Sequence, residues 1–69
     1  MSLNYNKLWK LLIDKRMNKT DLRKKTGLSQ STIAKLVNGK NVNIQVLERI
    51  CYVLECDICD IVEINKEEN

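Results

Sequence analysis

The sequence predicts an all-α fold built from five short helices. Three observations carry that expectation. The 69 residues contain no proline and only two glycines, and Leu, Lys and Glu dominate between the breaks. Apolar residues recur at three- and four-residue spacing, the period of a helix face. Asn, Ser and Asp stand at the gaps between those stretches, where their side chains can cap helices.

Tyr5, Leu8, Trp9, Leu12 and Ile13 follow the i, i+3, i+4, i+7, i+8 spacing of one apolar stripe. A first helix therefore spans about 5–16, with Asn4 as its cap. Met17-Asn18 breaks the pattern. Asn18 can accept a hydrogen bond from the backbone N–H of Asp21, and an acid there suits the positive end of a helix. The second helix covers about 19–26 and stops at Gly27, where left-handed backbone is easiest for glycine.

Only Leu28 separates Gly27 from the next cap, Ser29. The third helix covers about 30–38, with Ile33, Leu36 and Val37 turned inward, and Asn38-Gly39 ends it. Residues 40–43 read as a loop that closes on a further Asn cap. The fourth helix spans about 44–55, with Leu47, Ile50, Cys51 and Leu54 on its buried stripe. Asp57 caps a fifth, about 58–63, whose apolar residues are Ile58, Ile61 and Val62. Ile64 extends that apolar surface, and residues 65–69 are polar and expected to fray.

A chain of this length forms one domain, 1–69, with an ordered core of about 5–64. It buries only about 60% of the surface it exposes when unfolded. A partner chain is a natural support for so small a fold. No apolar run reaches the roughly 18 residues of a membrane span, and the first residues lack the apolar stretch of a signal peptide. The expected location is the cytoplasm, with the three cysteines as free thiols.

The net charge of +3 conceals a strong asymmetry. Residues 1–40 carry ten Lys or Arg against Asp14 and Asp21, whereas 41–69 carry Arg49 and Lys66 against seven acids. A basic first half implies an acidic partner, with nucleic acid foremost. The second helix, the tight turn and the third helix match a helix-turn-helix, in which the second helix of the pair enters the major groove N-terminus first. The third helix offers Gln30, Ser31, Thr32 and Lys35 opposite its apolar residues. Gln suits an adenine edge, Ser and Thr suit either kind of base, and Lys suits guanine acceptors. No acid lies between Arg23 and Asn43, where a phosphate backbone would repel one.

The run from Asn18 through Gly39, with Leu47-Glu48-Arg49-Ile50 and the stretch from Leu54 to Ile61, resembles the Cro/repressor (Xre) helix-turn-helix family. The resemblance covers about residues 5–63. Within that family the chain is similar to the small VanU-type regulators found with vancomycin-resistance genes. The resemblance implies a compact five-helix lambda-repressor-like domain that binds operators as a two-fold homodimer and regulates transcription. It also implies base reading by Gln30, Ser31 and Lys35, and phosphate contacts from Asn38 and Lys40. Lys19 stands where members often place a glutamine, so a phosphate contact is expected there, with Arg23 as a further candidate. Leu12 and Val37 occupy positions where some members pair an Arg with a Glu, so an apolar contact is expected instead.

Other signals point less far. Cys56-Asp57-Ile58-Cys59 is a C-x-x-C, and Cys51 is close by. A structural zinc site normally takes four Cys or His ligands, and this chain has three cysteines and no histidine. Packing is the expected role of Cys51, and no metal, cofactor or small-molecule effector is expected. Histidine-based acid–base chemistry and a Gly-rich phosphate loop are absent from the sequence, which argues against an enzyme. Trp9 lies in an apolar stripe, so it is expected to pack rather than stack on bases. Val46 and Val53, with Tyr52 or Ile64, are candidates for a dimer patch on the acidic half. The alternatives to a DNA-binding regulator are an antitoxin-like protein-interaction module and a thiol redox-sensing regulator.

Overall fold

A computed structural model describes residues 2–65. Four α-helices follow in order: α1 (Asn6–Asp14), α2 (Lys19–Thr26), α3 (Gln30–Val37) and α4 (Ile44–Leu54). A single 3-10 turn, Ile58–Asp60, replaces the expected fifth helix. Two short strands, β1 (Ser2–Asn4) and β2 (Glu63–Asn65), pair antiparallel with Leu3 opposite Ile64. The fold is thus mostly helical, with four helices and a small two-stranded ribbon joining the two ends of the described chain.

Each helix start follows from a local hydrogen bond. Asn18 caps α2, accepting from the Asp21 N–H at 2.8 Å, while the Asp21 carboxylate accepts from the Asn18 N–H at 3.1 Å. Ser29 caps α3 through the Thr32 N–H, and Asn43 caps α4 through the Val46 N–H. At α1 the expected cap is displaced. Tyr5 holds the cap position and makes no side-chain cap bond, while Asn4 belongs to β1 and its Oδ1 accepts from the Asn6 N–H. The Asn4 side chain also donates to Asn65.

The helix ends divide into two kinds. Gly27 ends α2 and Gly39 follows α3, each in the left-handed region. Arg16 (φ 57°) and Glu55 (φ 54°) do the same after α1 and α4 without being glycine. Behind Arg16, the Met17 N–H bonds to the Leu12 carbonyl at 2.8 Å, and behind Glu55 the Cys56 N–H bonds to the Cys51 carbonyl at 3.0 Å. Both are the six-to-one closures of a Schellman motif.

The core is formed by Tyr5, Leu8 and Leu12 of the first segment, Leu22 of α2, Ile33 and Leu36 of α3, Leu47, Ile50 and Leu54 of α4, and Ile61. Cys51 is half-buried against it. Three expected core positions lie outside. Ile13 is 73% exposed, Val37 is 48% exposed, and Ile58 is also exposed. Ile13 and Val37 each sit one residue, about 100° of helix, past the buried Leu12 and Leu36, at the rim of their stripes. Ile58 lies in a turn too short to bury a full face. Ile64 is 54% exposed on β2. Asn65, expected to fray, is in that strand, while 66–69 lie outside the described residues. Among the described residues no helix is long and apolar enough to cross a membrane.

Candidate nucleic-acid interface

The geometry between α2 and α3 is controlled by Thr26, the one buried polar side chain of the described residues. Its hydroxyl donates to the Leu22 carbonyl at 2.7 Å and accepts from the Leu28 N–H at 3.3 Å. The turn after Gly27 is thereby tied back to the last turn of α2. The Thr26 carbonyl accepts from the Arg49 guanidinium at 3.2 Å, which fastens the same corner to α4. A cation at that helix end also meets the negative pole of the α2 dipole. Leu28 is half-buried under the corner, against the core.

With the corner held, α3 buries Ile33 and Leu36 and exposes Gln30, Ser31, Ala34 and Lys35. Gln30 and Lys35 are exposed as expected of base readers. Ser31 is exposed, but its hydroxyl lies 3.0 Å from that of Ser29. Thr32 is half-buried and its hydroxyl lies 2.9 Å from the same Ser29 oxygen. Ser31 and Thr32 thus belong to a local hydroxyl cluster at the helix start, and the long, unfastened side chains of the face are Gln30 and Lys35.

Beyond α3 the backbone is clamped. The Lys40 N–H bonds to the Lys35 carbonyl at 2.8 Å, and the Lys40 carbonyl accepts from the hydroxyl of the core residue Tyr5 at 3.0 Å. Asn38 and Lys40 are exposed on either side of Gly39. On α2, Arg23 is half-buried and Lys19 is exposed. The Lys19 ammonium stands 4.9 Å from the centroid of the Trp9 ring, a cation–π contact that holds it at the start of α2. Trp9 itself packs half-buried against the core. Tyr5, Thr26, Arg49 and Ala34 had no place among the sequence-derived site residues. The available signal was a threonine just before the Gly27 break. The contacts of Tyr5 and Arg49 cross 35 and 23 residues, and nothing local announces them.

The cysteines lie elsewhere. Cys51 and Cys56 are half-buried, with the Cys56 N–H donating to the Cys51 carbonyl at 3.0 Å, and Cys59 is exposed. Burial pushes the Cys51 thiol above its ordinary value and the Cys56 thiol up to about 11. At neutral pH both are held as thiols, the poorly nucleophilic form. Among the described residues no group of three or more His, Cys, Asp or Glu is placed to hold a metal ion.

A search of protein families matches residues 7–67 to the Cro/C1-type HTH DNA-binding domain. The chain is 33% identical over 61 residues to YozG of Bacillus subtilis (strain 168), named as an uncharacterized HTH-type transcriptional regulator; the match spans 86% of this chain and 73% of YozG. It also superposes on the crystal structure of the transcriptional regulator VanUg with a TM-score of 0.92 and 52% identity, covering 96% of this chain and 88% of that one. With a buried corner between α2 and α3, an exposed polar face on α3 and a match over nearly the whole sequence, the chain belongs to the Cro/C1-type helix-turn-helix family of DNA-binding transcriptional regulators.

Proposed function

We propose that the protein acts as a two-fold homodimer on an operator, with α3 of each protomer in the major groove. The observation that carries this reading is the exposed face of α3, backed by buried Ile33 and Leu36 and followed by the clamped backbone of Lys40. Gln30 and Lys35 read base edges, with Ser31 and Thr32 shaping the start of the helix and adding shorter contacts. Lys19, Arg23, Asn38 and Lys40 contact phosphates and set the register. The two recognition helices meet half-sites about 34 Å apart, one turn of duplex.

The protein is non-catalytic and cytoplasmic on this reading, and represses by occupying a promoter. Likeness to VanUg, a transcriptional regulator, supports the regulatory role, and a place beside resistance genes follows only from the resemblance of the sequence to VanU-type regulators. Of the expected dimer patch, Tyr52 is 86% exposed and Ile64 is exposed, which supports their availability, whereas Val46 and Val53 are half-buried against the core.

Fluorescence anisotropy against DNA upstream of the protein's own gene, with a scrambled duplex as control, tests the reading. Lys35→Ala is expected to change which duplexes are preferred. Lys40→Ala is expected to weaken all duplexes similarly. The reverse pattern would overturn these roles, and equal binding of wild-type protein to both duplexes would overturn sequence readout at that promoter.

A further inference from the structure

We propose that Ala34 is a specificity-determining residue, whose methyl group packs against a thymine methyl in each half-site. The proposal rests on the reading of α3 as the recognition helix and adds a base preference to it.

Ala34 is exposed on α3. At 100° per residue it falls on the same arc as Gln30 and Asn38, four residues away on either side, with Ser31 and Lys35 alongside. Ile33 and Leu36 hold the opposite side in the core. Ala34 is therefore a central point of the arc, and it is flanked by polar side chains while carrying no polar atom of its own.

Such a point discriminates among bases. Of the groups presented in the major groove, the thymine C5 methyl is the apolar one that projects far enough to pack against a side chain, the cytosine C5–H being flush with the ring edge. An amino or carbonyl edge pressed against Ala34 would lose water and gain no hydrogen bond, which is unfavourable. The short side chain also lets the helix approach closely enough for contact. Gln30 and Ala34 are surface neighbours on the helix, about 5–6 Å apart at Cβ. Base pairs stack about 3.4 Å apart along each strand. The thymine therefore lies on the adenine-containing pair read by Gln30 or within two pairs of it. Alanine is also the strongest helix former, and that role alone would leave binding blind to the thymine methyl.

The test acts on the DNA, so folding of a variant does not decide it. Duplexes selected by the wild-type protein from a random pool supply the operator. Each thymine is then replaced singly by uracil, which removes only the methyl, and Kd is measured for wild type, Ala34→Gly and Ala34→Ser. One thymine per half-site is expected at which uracil weakens wild-type binding about three- to fivefold, the worth of one buried methyl. That sensitivity should vanish in Ala34→Gly and shrink in Ala34→Ser, with the other positions unchanged. A consensus in which no thymine methyl matters, or in which the sensitivity persists in both variants, overturns the role of Ala34 and leaves base reading by α3 standing. Failure to select any consensus overturns both.

Discussion

At the scale of single residues, the informative position is one that touches no ligand on any reading. Thr26 bridges the end of α2 and the turn: its hydroxyl serves the Leu22 carbonyl and the Leu28 N–H, and its carbonyl holds Arg49. Thr26→Val keeps the shape and removes the hydroxyl, so the Leu28 N–H loses its partner under a half-buried corner. The expected cost is about 1–3 kcal/mol, read as a lower midpoint in urea unfolding. Because this corner aims α3, operator affinity should fall by more than the loss of folded protein accounts for. A variant with wild-type stability would mean that water replaces the hydroxyl and that the corner is held by packing alone.

At the scale of elements, what was legible in the sequence depended on how locally each element is specified. The caps Asn18, Ser29 and Asn43 each bond to an N–H three residues on, so the starts of α2, α3 and α4 could be read directly. The ends at Gly27 and Gly39 could be read because glycine marks left-handed backbone. The end of α1 could not, since Arg16 takes that conformation without glycine and the helix was expected to run to about 16, whereas α4 ends within one residue of its expected bound although Glu55 is no glycine either. The ribbon of β1 and β2 was invisible for a different reason. Each strand has three residues, too few for alternation to register, and their pairing joins positions some sixty residues apart. The polar face of α3 was legible from period and charge, whereas the hydroxyl cluster around Ser29 and the clamp on Lys40 depend on three-dimensional proximity. The non-glycine ends carry a prediction. Glu55 adopts a strained backbone and sets an acid at the negative end of α4. Glu55→Gly relieves both and should stabilise the protein by about 1 kcal/mol, seen as a rise in Tm of several degrees. An unchanged or lower Tm would show that the Glu55 side chain makes a compensating contact at the C-terminal end of α4.

At the scale of the whole molecule, the charge asymmetry of the sequence is not the charge of the DNA-facing surface. Ten of the cations fall in residues 1–40. Yet Lys7, Lys10 and Lys15 line a shallow groove with Asp14, Glu55 and Asp60, and the Lys7 ammonium donates to the Cys59 carbonyl at 3.2 Å. Part of the basic half is thus turned toward the acidic half, and on the proposed docking the cations left to meet DNA are the smaller set on α2, α3 and at Lys40. Salt dependence separates these two counts. Each phosphate neutralised contributes about −0.9 to the slope of log K against log salt. If Lys19, Arg23 and Lys40 each meet one phosphate, a dimer should show a slope of about −5, far shallower than all its basic residues together would give. Lys40→Ala should flatten that slope by about 2 in the dimer, one phosphate being lost per half-site. Lys10→Ala removes the same charge from the groove beside Asp14 and Glu55, and should leave both the slope and the affinity close to those of the wild type across the salt range. Equal flattening by the two variants would mean that DNA wraps onto α1 and that the electrostatic footprint follows the sequence count after all.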